Sequence, residues 1–235
     1  MSILDLRYPF VMPTYGSEVH VGPPEVTEPE GTVAGPSRAG LDSHADAMSM
    51  MKATYEDVLN APENKVAEVL DGELYLSPRP APRHAVAASR IGMLLGDPFD
   101  RGRSGPGGWW ILDEPELHLD EHVVVPDLAG WRRERMPTLP AEAFFSLAPD
   151  WICEVLSPST ERIDRARKLR IYAAAGVAHA WLLDPIQGTL EVLRLRDAAW
   201  VITGVRIGDD PVRVEPFDAV ELELGLLWPE RTEGP

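Results

Sequence analysis

Two carboxylates stand where soluble strands seldom carry charge. Asp127 interrupts the apolar run at residues 123–129 (VVVPDLA), and Glu154 interrupts residues 151–156 (WICEVL). If both runs are strands, alternation puts Val125, Asp127 and Ala129 on one face. In the second run Ile152, Glu154 and Leu156 share a face, and Trp151, Cys153 and Val155 take the other. An ionised carboxylate in such a run costs several kcal/mol unless something pairs with it. Two on neighbouring strands repel and raise one pKa, unless a cation lies between them. A hard divalent ion, Mg²⁺ or Mn²⁺, suits oxygen donors of this kind. A plainer reading also stands: each acid lies near a strand end and points to water or to an arginine.

Other reactive side chains point to less. His118 and His122 have the spacing of helical zinc ligands but flank a turn between strands and lack a partner glutamate motif, which argues against zinc. Cys153 is expected to face away from Glu154 as a buried thiol. No glycine-rich phosphate loop of the Walker or GxGxxG kind is present, so nucleotide cofactors have no support.

The elements that would position the two acids follow from periodicity. TYEDVLNAP reads as a short helix capped by Thr54 and Asp57 and closed by Pro62. VAEVLDGELYL reads as a hairpin turning at Asp71–Gly72 in a type I′ turn. Residues 84–95 form a helix with Ile91, Leu94 and Leu95 inward, ending at Gly96. Strands are expected at 109–112, 116–119, 123–129 and 151–156. SPSTERIDRARKLRIYAAAGV is the clearest helix, with Ile163, Ala166, Leu169, Tyr172 and Ala173 on one face and Gly176 at C′. Residues 178–183 form a continuous apolar strand, and strands at 190–195, 200–207 and 220–224 complete the chain. The strand–helix–strand unit at 151–183 is long enough for a crossover between parallel strands, while the hairpins are antiparallel. The fold class is therefore α/β (or α+β), a mixed central β-sheet flanked by helices.

With 38 acidic against 22 basic residues the chain carries −16. Residues 1–50 hold seven acids and two arginines, or −5, which leaves −11 for residues 51–235. That acidity argues against tight non-specific nucleic-acid binding. Arginines nevertheless cluster near the acids: Arg79, Arg83 and Arg90; Arg132, Arg133 and Arg135; and Arg162, Arg165, Arg167 and Arg170. Such clusters could contact phosphate. Residues 1–50 are rich in Pro, Gly, Ser, Thr and Glu, lack apolar periodicity and read as a disordered or loosely attached leader before one domain at 51–235. No apolar run approaches the roughly 18 residues of a membrane span, and no secretory signal is evident. With a single cysteine the expected location is cytoplasmic.

The ordered series VVVPD (123–127), EVLSPST (154–160), DRARK (164–168), then YAAAGV and WLLDP resembles the Uma-type endonucleases of the PD-(D/E)XK nuclease superfamily. DGELYLSPRP and His84 are similar to that family's opening hairpin and helix. The resemblance runs from about Thr54 to the C-terminus. It implies a restriction-endonuclease-like core, with Asp127 as the acid of the PD motif and Glu154 as that of the (D/E)XK motif. The motif's lysine position holds Leu156, and Lys168 on the following helix matches the position to which that lysine has moved. The alternative for Lys168 is an i,i+4 surface pair with Asp164. Glu68 is a candidate further metal ligand and His84 a candidate contact to phosphate or attacking water. A strand-edge charge and a helix-start polar residue are their structural alternatives.

The function implied is metal-dependent hydrolysis of nucleic-acid phosphodiesters, with DNA as substrate and a homodimer suited to two-strand cutting. Asp127, Glu154 and the backbone carbonyl of Val155 would bind Mg²⁺ or Mn²⁺, and Lys168 would stabilise developing charge. Two rivals remain: a catalytically silent member that binds nucleic acid or protein, and a hydrolase of another phosphate ester.

Overall fold

A computed structural model describes residues 52–228. The leader assigned to residues 1–50 lies outside the described residues. The chain begins with α1 (Tyr55–Leu59), whose Thr54 and Asp57 form the expected reciprocal cap. The hairpin of β1 (Lys65–Leu70) and β2 (Glu73–Pro78) turns at Asp71 and Gly72 with φ of 57° and 76°, the two positive values a type I′ turn requires. Next come α2 (Pro82–Leu95), β3 (Trp109–Asp113), β4 (Leu117–Leu119), β5 (His122–Val124), β6 (Leu128–Arg132) and β7 (Trp151–Val155). They are followed by α3 (Glu161–Ile163), a π turn (Asp164–Lys168), α4 (Leu169–Ala174), β8 (His179–Asp184), β9 (Thr189–Arg196), β10 (Ala199–Ile207), β11 (Pro211–Val212) and β12 (Leu222–Glu223).

Six strands form a mixed sheet in the order β10-β9-β8-β7-β6-β3, and four form a small antiparallel sheet in the order β2-β1-β5-β4. β7 and β8 are the parallel pair expected of the crossover. One face of the large sheet carries Trp151, Cys153, Val155 and Trp181 and packs on Ala87, Ile91 and Leu95 of α2 and on Phe217. The opposite face carries Ile152, Ala180 and Leu182 and packs on Leu169 and Tyr172 of α4 and on Leu70 and Val124 of the small sheet.

Four local expectations are corrected. Residues 123–129 are not one strand: Val125, Pro126 and Asp127 leave β5 in the small sheet and enter β6 in the large one. Pro126 has no N–H to donate to a ladder and sits at this break. The α2 helix does not stop at Gly96, which stays right-handed (φ −62°) and leads into a π turn at Gly96–Asp100. The long helix carries an i+5 turn, in which the Leu169 N–H donates to the Asp164 carbonyl. In this segment Ala166, expected to face inward, is exposed, and Asp164 and Lys168 are buried. Gly176 does take the left-handed C′ conformation (φ 78°). Finally, the strand expected at 220–224 shrinks to β12, and Leu224 opens a 3₁₀ turn.

Candidate active site

The break between the sheets creates the site. Asp127 leaves the small sheet just before β6, and its two oxygens are held from two elements. Oδ1 meets Nε2 of His84 in α2 at 2.6 Å, and Oδ2 accepts the Val155 N–H of β7 at 2.7 Å. Its position beside β7 therefore comes from this backbone hydrogen bond and not from strand alternation.

Glu154 projects from β7 opposite Cys153, as alternation requires, and is only 2 % exposed. Lys168 is 3 % exposed, so it is not half of a solvated surface pair. Its Nζ lies 3.0 Å and 3.1 Å from the two Glu154 oxygens, donates to the Val125 carbonyl at 2.9 Å and lies 3.1 Å from Oε1 of Glu68. Asp164, its i,i+4 neighbour, is farther at 3.9 Å. Glu68 also accepts the Val125 N–H at 2.8 Å, so this β1 side chain and the lysine together grip the segment that delivers Asp127.

Asp127, Glu154, Lys168, His84 and Glu68 thus converge on one cleft of about 320 Å³, reached also by Glu114, Arg79, Thr160 and Asp164. His118 and His122 lie elsewhere with separate partners: His118 bonds Glu116 and stacks on Phe144, and His122 accepts the Asp71 N–H.

Sequence reasoning missed two residues of the cluster. The Tyr172 hydroxyl donates to Oε1 of Glu154 at 2.6 Å. Tyr172 had been placed among the apolar residues of its helix, although its i,i+4 relation to Lys168 was a usable signal. Asp164 was read only as a surface partner of Lys168, although Asp164, Lys168 and Tyr172 follow one another at i,i+4 spacing on one helical face.

The electrostatics are those of a site short of positive charge. Burial pushes the Glu154 carboxyl well above its ordinary value, against the pull of Lys168 and Tyr172. Burial also raises Asp164, to about 6, against Lys168 and the Thr160 hydroxyl. Burial would lower the Lys168 ammonium, but Glu154 and Glu68 outweigh it and hold the group charged. His84 behaves alike: burial lowers it, and the Asp127 carboxylate more than compensates.

Glu68, Asp127, Glu154 and Asp164 therefore share one lysine and one histidine. All are hard oxygen donors of the kind Mg²⁺ takes. Among the described residues no three His, Cys, Asp or Glu stand close enough to form a complete ligand set.

Five of the ten clustered arginines pair with acids. Arg165 pairs with Glu161 and Glu191, Arg167 with Glu73, Arg170 with Asp71, Arg133 with Asp100 and Arg135 with Asp150. Arg90 is tied to the carbonyls of Leu226 and Trp228. Half of the phosphate contacts expected of them are therefore already taken by the protein's own acids.

Mixed sheet, crossover helix and a carboxylate–lysine cleft at the sheet junction define a restriction-endonuclease-like α/β protein. Residues 53–226 match the family model Uma2, described as "Putative restriction endonuclease", and the chain belongs to that family. Among solved structures it is similar to one described as a "putative nuclease belonging to DUF820" from Anabaena variabilis ATCC 29413. The identity is 23 % and the TM-score 0.62, over 75 % of this chain and 97 % of that one, a likeness of fold. No curated protein matches the chain. No helix among the described residues is long and apolar enough to cross a membrane.

Proposed function

We propose that the protein hydrolyses phosphodiester bonds of nucleic acid with the help of a divalent metal, Mg²⁺ or Mn²⁺, with DNA as a substrate. The observation that carries this reading is the meeting of Asp127, Glu154 and Lys168, from three separate segments, in one charge-deficient cleft. Membership of a family described as restriction endonucleases supports it.

Asp127, Glu154 and the Val155 carbonyl are the donors that would hold the ion. When bound, it would supply electrophilic stabilisation of the phosphoryl oxygens and lower the pKa of an attacking water. The chain's own residues do the rest. His84 and the Val155 N–H fix the Asp127 carboxylate, and Tyr172 fixes one oxygen of Glu154. Lys168 offers its ammonium to the charge that develops as water oxygen bonds to phosphorus, the bond to the leaving sugar oxygen breaks and a proton passes to that oxygen. Glu68 holds Lys168 and the Asp127-bearing segment in register.

One observation favours the silent-binder alternative: Glu154 is already saturated by Lys168 and Tyr172. Cleavage of circular DNA, plasmid and single-stranded, separates the two readings. Cleavage of supercoiled plasmid or of circular single-stranded DNA that requires Mg²⁺ or Mn²⁺ and disappears in Asp127→Asn supports hydrolysis. Binding without cleavage of either DNA at any divalent concentration supports the silent reading.

A further inference from the structure

Above its acidic floor the cleft has aliphatic walls from two different segments. Val66, Pro78 and Pro80 come from the hairpin and the connector to α2, and Pro158 and Ile163 from the turn before α3 and the end of α3. Its volume of about 320 Å³ is at the small end of ligand clefts, which run from roughly 300 to 1,000 Å³. A duplex is held differently, across a broad and strongly basic surface with many phosphate contacts.

Among the described residues no such surface surrounds the cleft, since Arg165, Arg167 and Arg170 are committed to Glu161, Glu191, Glu73 and Asp71. Arg79 lines the cleft, and neither it nor Arg83 and Arg162, which adjoin cleft residues in the chain, has a carboxylate partner among the described residues. Arg79 gives one N–H group to the Glu63 carbonyl and keeps the rest of its fork. Arg79 and Arg83 flank the Pro80 wall in the chain, and Arg162 directly precedes Ile163 on the other.

Resting on the hydrolysis reading of this cleft, we infer that its substrate is a single strand or an unpaired nucleotide, not an intact duplex. One base lies between the aliphatic walls, its phosphate faces the acidic floor, and the flanking phosphates meet Arg79 and Arg83 on one side and Arg162 on the other. Every base presents a flat apolar face, so such walls hold a base with little regard to sequence. An unpaired base also enters a pocket without the unstacking cost that a duplex imposes. Three phosphate contacts give a shallow salt dependence, because each single-strand contact contributes about 0.7 to the slope of log affinity against log salt.

The test is fluorescence anisotropy of a short labelled DNA, single-stranded and as its blunt duplex. Ca²⁺ stands in for Mg²⁺ at the oxygen site during binding, and cleavage of both DNAs is then followed with Mg²⁺. The single strand is expected to bind at least about tenfold more tightly, with a salt slope near −2 that falls by about 0.7 in Arg162→Ala. Ile163→Ser should weaken single-strand binding at an unchanged slope. A duplex bound equally well, a slope of about −5 or steeper, or no binding of either DNA overturns the inference. Equal cleavage of duplex and single strand overturns it while leaving hydrolysis intact. Single-strand binding with no cleavage of either DNA overturns hydrolysis and leaves the strand preference standing.

Discussion

The two faces of β7 show how differently one strand can be held. Toward α2 it presents Trp151, Cys153 and Val155 to an apolar cluster in which Trp151, Trp181 and Phe217 meet edge to face within 5.0–5.5 Å. Toward α4 it presents Glu154 to a buried lysine and a tyrosine hydroxyl. The first face needs only volume and shape, and a similar apolar side chain can replace any one member at modest cost. On the second, each group satisfies its neighbours, so loss of one leaves the others unpaired at a large cost. Cohesion is concentrated on one face and charge on the other, a few ångströms apart.

The largest expected effect comes from Lys168→Met, which keeps the apolar stem and removes the charge. Breaking a buried ion pair destabilises by about 3–5 kcal/mol, measured here as a fall in the denaturant midpoint. Cleavage by the remaining folded protein should fall by roughly 10²-fold or more. A stable variant that cuts like the parent would show that Lys168 serves neither role.

Trp181→Ala strikes the other face. A loss of about 3–5 kcal/mol in unfolding free energy is expected, with divalent affinity by calorimetry unchanged where the protein is folded. Loss of metal affinity in step with stability would mean that the two faces are not separable.

How much of this division was legible in the sequence depended on how local each feature is. The alternation in WICEVL assigned Glu154 and Cys153 to opposite faces because strand period is a local property. The Asp71–Gly72 turn and the Thr54–Asp57 cap were readable for the same reason. The path of Asp127 was not, because an apolar run around Pro126 gives no sign that its halves join different sheets. The π turn was also hidden: apolar periodicity counts Ala166 as inward, whereas Lys168 is buried because Glu154 and Glu68, distant in the chain, face it. The arginine clusters were visible as residues, but their neutralisation depends on Glu73, Asp71 and Glu191, which are distant in the chain.

A smaller effect depends on pH. The fold raises Asp164 to about 6, so its protonated form is favoured in the native state. The resulting stabilisation is complete below the unfolded value of about 4 and is lost as pH rises through about 6, by up to about 3 kcal/mol. His84, also raised, loses its contribution as pH climbs past its own folded value above 6.5. Asp164→Asn should flatten the stability profile between about pH 4 and 6. A profile identical to the parent's would show that Asp164 is not held protonated. Because a metal would replace these protons, Mg²⁺ should raise the thermal midpoint more at about pH 8 than at about pH 5.

The smallest expected change is in Tyr172→Phe, which removes one hydrogen bond to a carboxylate at nearly constant volume. A loss of about 1.5–3 kcal/mol is expected from urea unfolding, with weaker metal binding because Glu154 is no longer fixed. Unchanged metal affinity would make Tyr172 a packing residue alone.

The central claim is that Asp127 and Glu154 share a divalent ion. Anomalous diffraction from crystals soaked in Mn²⁺ tests it most directly. The account predicts a single strong peak bridging one oxygen of each carboxylate, at about 2.0–2.3 Å from both, with the Lys168 ammonium displaced from at least one Glu154 oxygen. It is contradicted if no peak appears there at saturating Mn²⁺ while Lys168 and Tyr172 still occupy both oxygens of Glu154.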